Sequence, residues 1–266
     1  MAAQEKFPAD AAGLMAVLKR LRGPDGCPWD KAQTRHTLTS HLAGECAELI
    51  DAVDREDAAG ICDETGDVLM NLFLQIAIAE EKGEFTLADV WRNEIDKMVR
   101  RHAHIFGEES AATPEEVTAL WERIKAEERA GKPAKDSILD DVPHYLSALS
   151  RAEKLQKKAA KVGFDWQKET EILAKIREEA DEIEEALASG DNDAVEDELG
   201  DLLFAAVNLI RFRKGRDSEA LLRQACLKFE RRFRFIEKTL KDSGENLESA
   251  GIERMEALWN TAKKGE

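Results

Sequence analysis

The sequence repeats one pattern of acidic residues at a fixed interval of 134 positions. In the first half, two glutamates three positions apart are followed, after a 15-residue gap, by a glutamate and an aspartate with the same spacing. The second half repeats this order, and the matching residues are Glu45 and Glu179, Glu48 and Glu182, Glu64 and Glu198, and Asp67 and Asp201. A repeat of this length indicates that the chain contains two copies of one structural module.

The repeat extends beyond the acidic residues, which alone would prove little because they make up 55 of the 266 residues. Gly66 and Gly200 stand directly before the two aspartates, and an apolar run follows each aspartate. Two later segments also have counterparts: residues 97–101 (KMVRR) match 228–232 (KFERR), and residues 119–121 (ALW) match 257–259 (ALW). The two halves therefore derive from a duplication.

The composition predicts an all-α fold. Hydrophobic residues make up 43% of the chain but aromatic residues only 6%, and the six prolines stand at positions 8, 24, 28, 114, 133 and 143. The stretches 29–113 and 144–266 therefore lack the residue that most strongly interrupts a helix. No alternating apolar pattern of strand length occurs. We predict two tandem helical modules, each resembling a four-helix bundle.

A polar segment with glycine and proline, GKPAKDS at residues 131–137, separates the two halves. Because this composition is typical of a linker, we predict an N-terminal module at residues 1–130, a linker at 131–143 and a C-terminal module at 144–266. The predicted helices of the C-terminal module are Tyr145–Val162, Trp166–Ala188, Asp193–Phe212, Asp217–Ser243 and Arg254–Lys264.

A break at Ser189–Asp191 separates the two acidic helices of the second module, and Asp191 or Asn192 is expected to cap the helix that follows. A short connection of this kind makes the two helices antiparallel neighbours.

Charge and cysteine content limit the partners and the location. The net charge of −16 disfavours binding to DNA or RNA. The longest uncharged run, Val68–Ala79, has 12 residues, which is too short to span a membrane. The four cysteines form no CxxC pair, and the N-terminus lacks the pattern of a signal peptide. We therefore predict a cytoplasmic protein with free thiols and no membrane partner.

The four acids of each half are candidate metal ligands. Residues three apart on a helix share a face, so the two pairs can face each other across the seam between antiparallel helices. Convergent carboxylates repel one another unless cations neutralise them, and oxygen ligands without Cys or His favour Mg²⁺ or Mn²⁺. The absence of His excludes a di-iron site of the Glu-x-x-His type. The alternative interpretation is that these acids form solvated helix faces.

Basic residues follow the acids in each half. Lys228, Arg231 and Arg232 lie on one side of a helix and could bind phosphate groups, although salt bridges with local glutamates would explain them equally well. Trp259 and Trp121 could stack on a base or serve as packing anchors. The chain contains no GxxxxGK[ST] phosphate loop.

Taken together, these motifs resemble the MazG family of nucleoside triphosphate pyrophosphohydrolases. The resemblance rests on the repeated ExxE and ExxD pairs and on four further segments: RGPDGCPWDKAQT from Arg22, RRHAHIF from Arg100, RAEKLQKKAAKVGFDW from Arg151 and KFERRFR from Lys228. It implies an all-α homodimer that hydrolyses NTPs and dNTPs to the monophosphate and pyrophosphate with Mg²⁺.

The resemblance also implies roles for individual residues in the C-terminal module. Its metal ligands would be Glu179, Glu182, Glu198 and Asp201. Its nucleotide contacts would be Lys175, Lys228, Arg231, Arg232 and Trp259. We expect water to attack the α-phosphorus, and either Glu178 or Glu182 to accept the proton of that water.

The first half departs from the family pattern. Gly44 stands where the second half has Glu178, and Arg35 replaces an expected histidine. Its candidate metal ligands are Glu45, Glu48, Glu64 and Asp67, and its basic residues are Lys97, Arg100 and Arg101. We therefore expect the C-terminal module to be the main catalyst. The alternative for the whole chain is a nucleotide-sensing or scaffold protein without turnover.

Overall fold

The computed structural model describes residues 6–130, 136–213, 215 and 217–265. These residues form helices and no strand, which confirms the predicted all-α class. By its internal contacts the chain divides into two compact units, Met1–Lys132 and Pro133–Glu266.

The described part of the first unit contains seven helices. In chain order they are α1 (Ala11–Arg22), α2 (Pro28–Ala32), α3 (Thr37–Asp54), α4 (Ala58–Glu81), α5 (Leu87–Arg101), α6 (Ala103–Phe106) and α7 (Pro114–Ala130). Side-chain caps mark where α4 and α5 begin. Asp57 accepts hydrogen bonds from the first turn of α4, and Thr86 and Asp89 form a reciprocal capping box at α5.

The core of the first unit lies between α1, α3 and α4. Phe73 and Leu74 of α4 pack in one buried cluster with Met15 and Leu18 of α1 and Leu38 of α3. The long apolar run of α4 is thus partly covered by helices of its own module. Neither α4 nor any other helix in the described ranges has the length and apolar character needed to cross a bilayer.

The described part of the second unit contains five helices, each ending within three residues of a predicted helix end. They are α8 (Ala148–Ala160), α9 (Glu169–Ser189), α10 (Asn192–Phe212), α11 (Ser218–Asp242) and α12 (Gly251–Lys264).

A tight connection joins α9 to α10. Gly190 ends α9 with a φ of 76°, a left-handed conformation that glycine adopts without strain. The side chain of Asp191 accepts a hydrogen bond of 3.1 Å from the amide of Ala194 and so caps α10. The predicted break and the Asp191 cap are both confirmed. Because α9 and α10 pack against each other, their acidic pairs are brought to one hairpin.

Two further contacts fasten the remaining helices of the second unit. The carboxylate of Glu153 in α8 accepts hydrogen bonds from the amide (3.2 Å) and the hydroxyl (3.1 Å) of Ser218, at the start of α11. Ile236 and Leu240 of α11 form a buried cluster with Leu258 of α12. These contacts join α8 to α11 and α11 to α12, and α8 also packs against α10 of the hairpin.

Residues 131–135 of the predicted linker lie outside the described residues. In the remainder, Val142 is buried, and the carbonyls of Val142 and Pro143 accept hydrogen bonds from Arg151 (3.3 and 3.1 Å). This part of the segment therefore packs against α8, while the extents of the two predicted modules stay a prediction.

Candidate active site

Three carboxylates of the C-terminal module converge on the hairpin of α9 and α10. Glu179 and Glu182 project from one face of α9, and Glu198 belongs to α10. One carboxylate oxygen of each residue lies within 4.8 Å of the other two. Glu179 is buried and the other two are half-buried. Asp201, the fourth predicted ligand, is not part of this group, although it lines the same cavity as Glu179.

The N-terminal module repeats this arrangement on α3 and α4. Glu45, Glu48 and Glu64 also have carboxylate oxygens within 4.8 Å of one another. Asp67, like Asp201, lies outside the group of three. Loss of hydration and the charge of Glu48 are the main causes of the raised pKa of Glu64, and the charge of Asp67 adds to them, so Asp67 lies close enough to act on the cluster.

The pKa values of the three clustered acids of the C-terminal module are shifted by their close approach and by loss of hydration. Loss of hydration and the charges of Glu179 and Asp201 raise the pKa of Glu198. Hydrogen bonding to Glu179 and loss of hydration raise the pKa of Glu182. The pKa of Glu179 is instead lowered, chiefly by a hydrogen bond from Lys175.

Lys175 supplies positive charge to the C-terminal cluster. Its Nζ lies 2.8 Å from Glu178, 2.9 Å from Glu179 and 3.9 Å from Glu182. The hydrogen bonds to Glu178 and Glu179 raise the pKa of Lys175. The residue 134 positions earlier is His41, whose ring packs edge-on against Trp29 at 5.6 Å. The N-terminal module therefore has no lysine at the matching place in sequence.

The chemistry of both clusters suits a divalent cation. Three carboxylates converge in each, and the ligand atoms are all oxygen. Loss of hydration and mutual repulsion raise the pKa of Glu64 in one cluster and of Glu198 in the other. Hard divalent cations prefer such oxygen ligands, and their charge would relieve the repulsion. The residues present therefore fit a divalent metal.

A cavity of about 750 Å³ adjoins the C-terminal cluster. Lys175, Glu179 and Asp201 stand on its wall with residues from α8 and α10 and from the connection between α8 and α9. Aromatic side chains, Phe164 and Trp166 among them, contribute to the same wall. Its volume is within the range of small-molecule sites.

An ion pair between Arg211 and Asp165 forms another part of the cavity wall. The guanidinium of Arg211 binds the carboxylate of Asp165, with one contact at 3.2 Å, and also donates to Asn208 at 2.7 Å. The side chain of Arg211 is only 8% exposed, and its proximity lowers the pKa of Asp165. Sequence reasoning did not select these residues, although Phe164, Asp165 and Trp166 belong to the GFDW segment used for the family resemblance.

The basic residues predicted to bind the nucleotide lie in two different places in the C-terminal module. Lys175 lies at the carboxylates, whereas Lys228, Arg231 and Arg232 lie on α11. The guanidinium of Arg232 stacks 5.3 Å above the ring of Trp259, which itself contacts Phe229. Among the described residues, the lining of the cavity includes none of these α11 residues and not Trp259.

In the N-terminal module the basic residues are engaged in ion pairs. Arg100 and Arg101 both bind Glu128, at 2.7 Å each, and together they lower the pKa of Glu128 to about 2. Lys97 pairs with Glu94 on its own helix. Two of the three candidate phosphate ligands of this module are therefore held by one glutamate of α7.

Comparison with known proteins identifies relatives along almost the whole chain. The family model described as the MazG nucleotide pyrophosphohydrolase domain matches twice, at residues 33–106 and 167–234. A nucleoside triphosphate pyrophosphohydrolase from Escherichia coli (strain K12) is 43% identical over 256 residues, covering 95% of this chain and 97% of the relative.

Two further relatives come from Thermotoga maritima. One, described as nucleoside triphosphate pyrophosphohydrolase/pyrophosphatase MazG, is 40% identical over 253 residues, covering 95% of each chain. The other is a crystal structure of a mazG-related protein with 30% identity and a TM-score of 0.38, covering 42% of this chain and 96% of that chain.

Proposed function

We propose that the C-terminal module of this chain, which belongs to the MazG family of nucleoside triphosphate pyrophosphohydrolases, carries the main catalytic site. The chain is a hydrolase that acts on the acid anhydride bonds of nucleoside triphosphates. Because the chain is a hydrolase, the alternative of a nucleotide-sensing or scaffold protein without turnover is excluded.

The observation that carries the proposal is the placement of Lys175 among Glu178, Glu179 and Glu182, beside a cavity large enough for a nucleotide. The N-terminal module has His41 at the position that matches Lys175. This difference favours the C-terminal module as the site of phosphate chemistry.

The family implies a divalent metal, and we propose that this metal is Mg²⁺, with Mn²⁺ able to replace it. Glu179, Glu182, Glu198 and Asp201 would hold it in the C-terminal module. Glu45, Glu48, Glu64 and Asp67 would hold it in the N-terminal module. When bound, the metal supplies charge that neutralises phosphate oxygens and activates the attacking water.

The other groups of the site act on the nucleotide and on protons. Lys175 lies beside the carboxylates, where its ammonium group can bind a phosphate oxygen. Glu178 is exposed and is not one of the three convergent carboxylates. We therefore favour Glu178 over Glu182 as the proton acceptor, because it can take a proton without disturbing the metal ligands.

We propose that Lys228, Arg231 and Arg232 bind the leaving pyrophosphate, and that Trp259 contacts the nucleotide. The family pattern supports these roles. Because the guanidinium of Arg232 lies over the ring of Trp259, a movement of one side chain would carry the other with it. Guanidinium groups bind phosphate oxygens in pairs and would neutralise charge that develops on the leaving group.

We also propose that the enzyme is a homodimer. Leu199, Leu203 and Phe204 form an exposed apolar strip on α10, and a strip of this kind is typical of an interface. On α4, Leu69 and Leu72 are exposed in the same way. A second copy of the chain would cover such surfaces.

The location in the cytoplasm stays a prediction. It is supported by the four cysteines, which are all free and therefore suit a reducing compartment.

The test removes ligand charge from each cluster in turn. Glu198→Gln with Asp201→Asn should lower kcat for dATP or dGTP by about a thousandfold or more, because the metal-organised chemistry is lost. The matched pair Glu64→Gln with Asp67→Asn should reduce kcat far less. Circular dichroism checks that both variants fold. Loss of activity in the N-terminal pair alone would reverse the assignment.

A further inference from the structure

One buried polar group on the cavity wall has no part in the chemistry described so far. Gln156 lies on α8 and lines the cavity beside the C-terminal cluster. Only 6% of the residue is exposed. Its Nε2 donates a hydrogen bond of 2.9 Å to the carbonyl of Phe204, whereas its Oε1 has no hydrogen-bond partner in the described parts of the protein.

The contact with Phe204 determines which end of the amide is satisfied. A carbonyl oxygen can only accept a hydrogen bond, so the nitrogen of Gln156 must face Phe204 and the oxygen must face elsewhere. Buried acceptors are nearly always satisfied, because leaving one unpaired is costly. A donor that enters the cavity from outside the chain would complete this group.

The first helices of the two hairpin-packed pairs, α1 and α8, bury different kinds of residue. Helix α1 packs against α4 as α8 packs against α10. The buried hydrophobic side chains of α1 are Met15 and Leu18, three positions apart, whereas α8 buries Glu153 and Gln156 with the same spacing. Glu153 is accounted for by its bonds to Ser218. The Oε1 of Gln156 is therefore a buried acceptor of the C-terminal module that no residue in the described ranges satisfies.

The surroundings of Gln156 suit a flat ring with a polar edge. Phe164 and Trp166 add aromatic surface to the cavity, and Arg211 and Asp165 on its wall are already paired with each other. Lys175, the proposed phosphate ligand, and Glu179, a proposed metal ligand, lie on the same cavity wall. A nucleotide whose phosphates lie at the carboxylates would carry its base into this cavity.

We propose that this cavity is the base pocket of the C-terminal site and that Gln156 accepts a hydrogen bond from an N–H group of the nucleobase. This inference rests on the proposed function, because it assumes that the phosphates bind at Glu179, Glu182 and Glu198. The ligand class is a nucleoside triphosphate whose base presents an exocyclic amino donor. Gln156 is then a residue that determines specificity.

The experiment uses pairs of substrates that differ by one donor. ATP is compared with purine riboside triphosphate, which lacks the 6-amino group, and CTP with the 2-pyrimidinone riboside triphosphate, which lacks the 4-amino group. All measurements use the full chain with Glu64→Gln and Asp67→Asn, so that turnover belongs to the C-terminal site. Wild-type Gln156 should favour the amino-bearing member of a pair by about tenfold or more in kcat/KM.

Two variants separate recognition of the base from a structural role. Gln156→Met keeps the size of the side chain but removes the acceptor, so the preference should fall to near one. Glu153→Gln, at an equally buried position of α8, is the matched control and should leave the ratio unchanged. The same preferences should appear in equilibrium binding measured by titration calorimetry.

The outcomes distinguish the inference from the function on which it rests. Absence of turnover in the Glu64→Gln, Asp67→Asn background would refute the C-terminal assignment itself. Turnover without a preference in either pair, or a preference that Gln156→Met leaves intact, would overturn the base pocket and leave the catalytic assignment standing.

Discussion

The ammonium group of Lys175 lies 2.9 Å from the buried carboxylate of Glu179. Because Glu179 belongs to the group of three convergent carboxylates, this contact gives the C-terminal cluster a positive charge from its own helix. The repulsion among the acids is thereby reduced even without a metal. Lys175 and a divalent cation consequently act on the same carboxylates.

Replacement of Lys175 should destabilise the metal-free protein more than the metal-bound protein. In Lys175→Met, the buried carboxylate of Glu179 loses its partner among like charges, so the melting temperature in EDTA should fall. Added Mg²⁺ should recover most of the loss, because the cation provides the missing charge. Differential scanning calorimetry measures both values. Lys241→Met, at an exposed lysine of α11, is the control, and equal losses with and without Mg²⁺ in Lys175→Met would contradict this account.

Metal affinity should weaken as the pH falls. The pKa values of Glu182 and Glu198 are raised above the ordinary value of 4.5, so protons compete with the metal at a higher pH than for isolated glutamates. The apparent Kd for Mg²⁺, measured by titration calorimetry, should therefore rise between pH 7.5 and pH 5.5. An affinity that is constant over this range would count against metal binding at these residues.

The same shifts predict how Glu198→Gln affects the metal-free fold. A carboxyl whose pKa is raised on folding binds its proton more tightly in the folded state, so its stabilising effect is present below the unfolded pKa and is lost as the pH rises through the folded pKa. Glu198→Gln should therefore raise the melting temperature in EDTA at pH 7.5. That gain should shrink as the pH falls and disappear well below the unfolded pKa, where the wild-type carboxyl is protonated in both states.

The ion pair of Asp165 and Arg211 should contribute measurably to stability. Asp165→Asn leaves the largely buried Arg211 without its charged partner and should cost about 1–3 kcal/mol in the free energy of unfolding. The pKa of Asp165 is lowered, so this contribution is present above its unfolded pKa and is lost as the pH falls through the folded pKa. Urea unfolding at pH 7 measures the cost.

The control for this pair is Glu169→Gln, which breaks the ion pair of Glu169 with Arg213. The side chain of Arg213 is 66% exposed, and exposed pairs contribute less than about 1 kcal/mol. Equal effects of Asp165→Asn and Glu169→Gln would show that burial of Arg211 does not strengthen its contact.

The proposed homodimer can be tested at one side chain of α10. Light scattering of the wild-type protein should give twice the chain mass of 29.8 kDa. Leu203→Glu places a charge on a side chain that is 62% exposed and belongs to the apolar strip of α10, so it should shift the protein towards the monomer. Leu187→Glu, at an equally exposed leucine of α9, should not. A wild-type monomer at micromolar concentration that retains activity would refute the dimer.

Much of the architecture could be predicted from sequence because its determinants are local. The spacing of ExxE and ExxD places each acidic pair on one helix face, and the residues Gly190 and Asp191 end one helix and cap the next. The 134-residue repeat carries the same prediction to both modules. These features depend on dihedral preferences and hydrogen bonds within a few residues.

Contacts between distant residues were decided only by the tertiary structure. The exclusion of Asp67 and Asp201 from the two groups of three depends on how the helices of each hairpin pack, which the spacing of acids does not specify. Arg211 reaches Asp165 across 46 positions, and Gln156 reaches the carbonyl of Phe204 across 48. A side chain becomes buried, paired or left with an open acceptor only when helices from separate parts of the chain enclose it, and the free energy of that enclosure is a property of the packed fold.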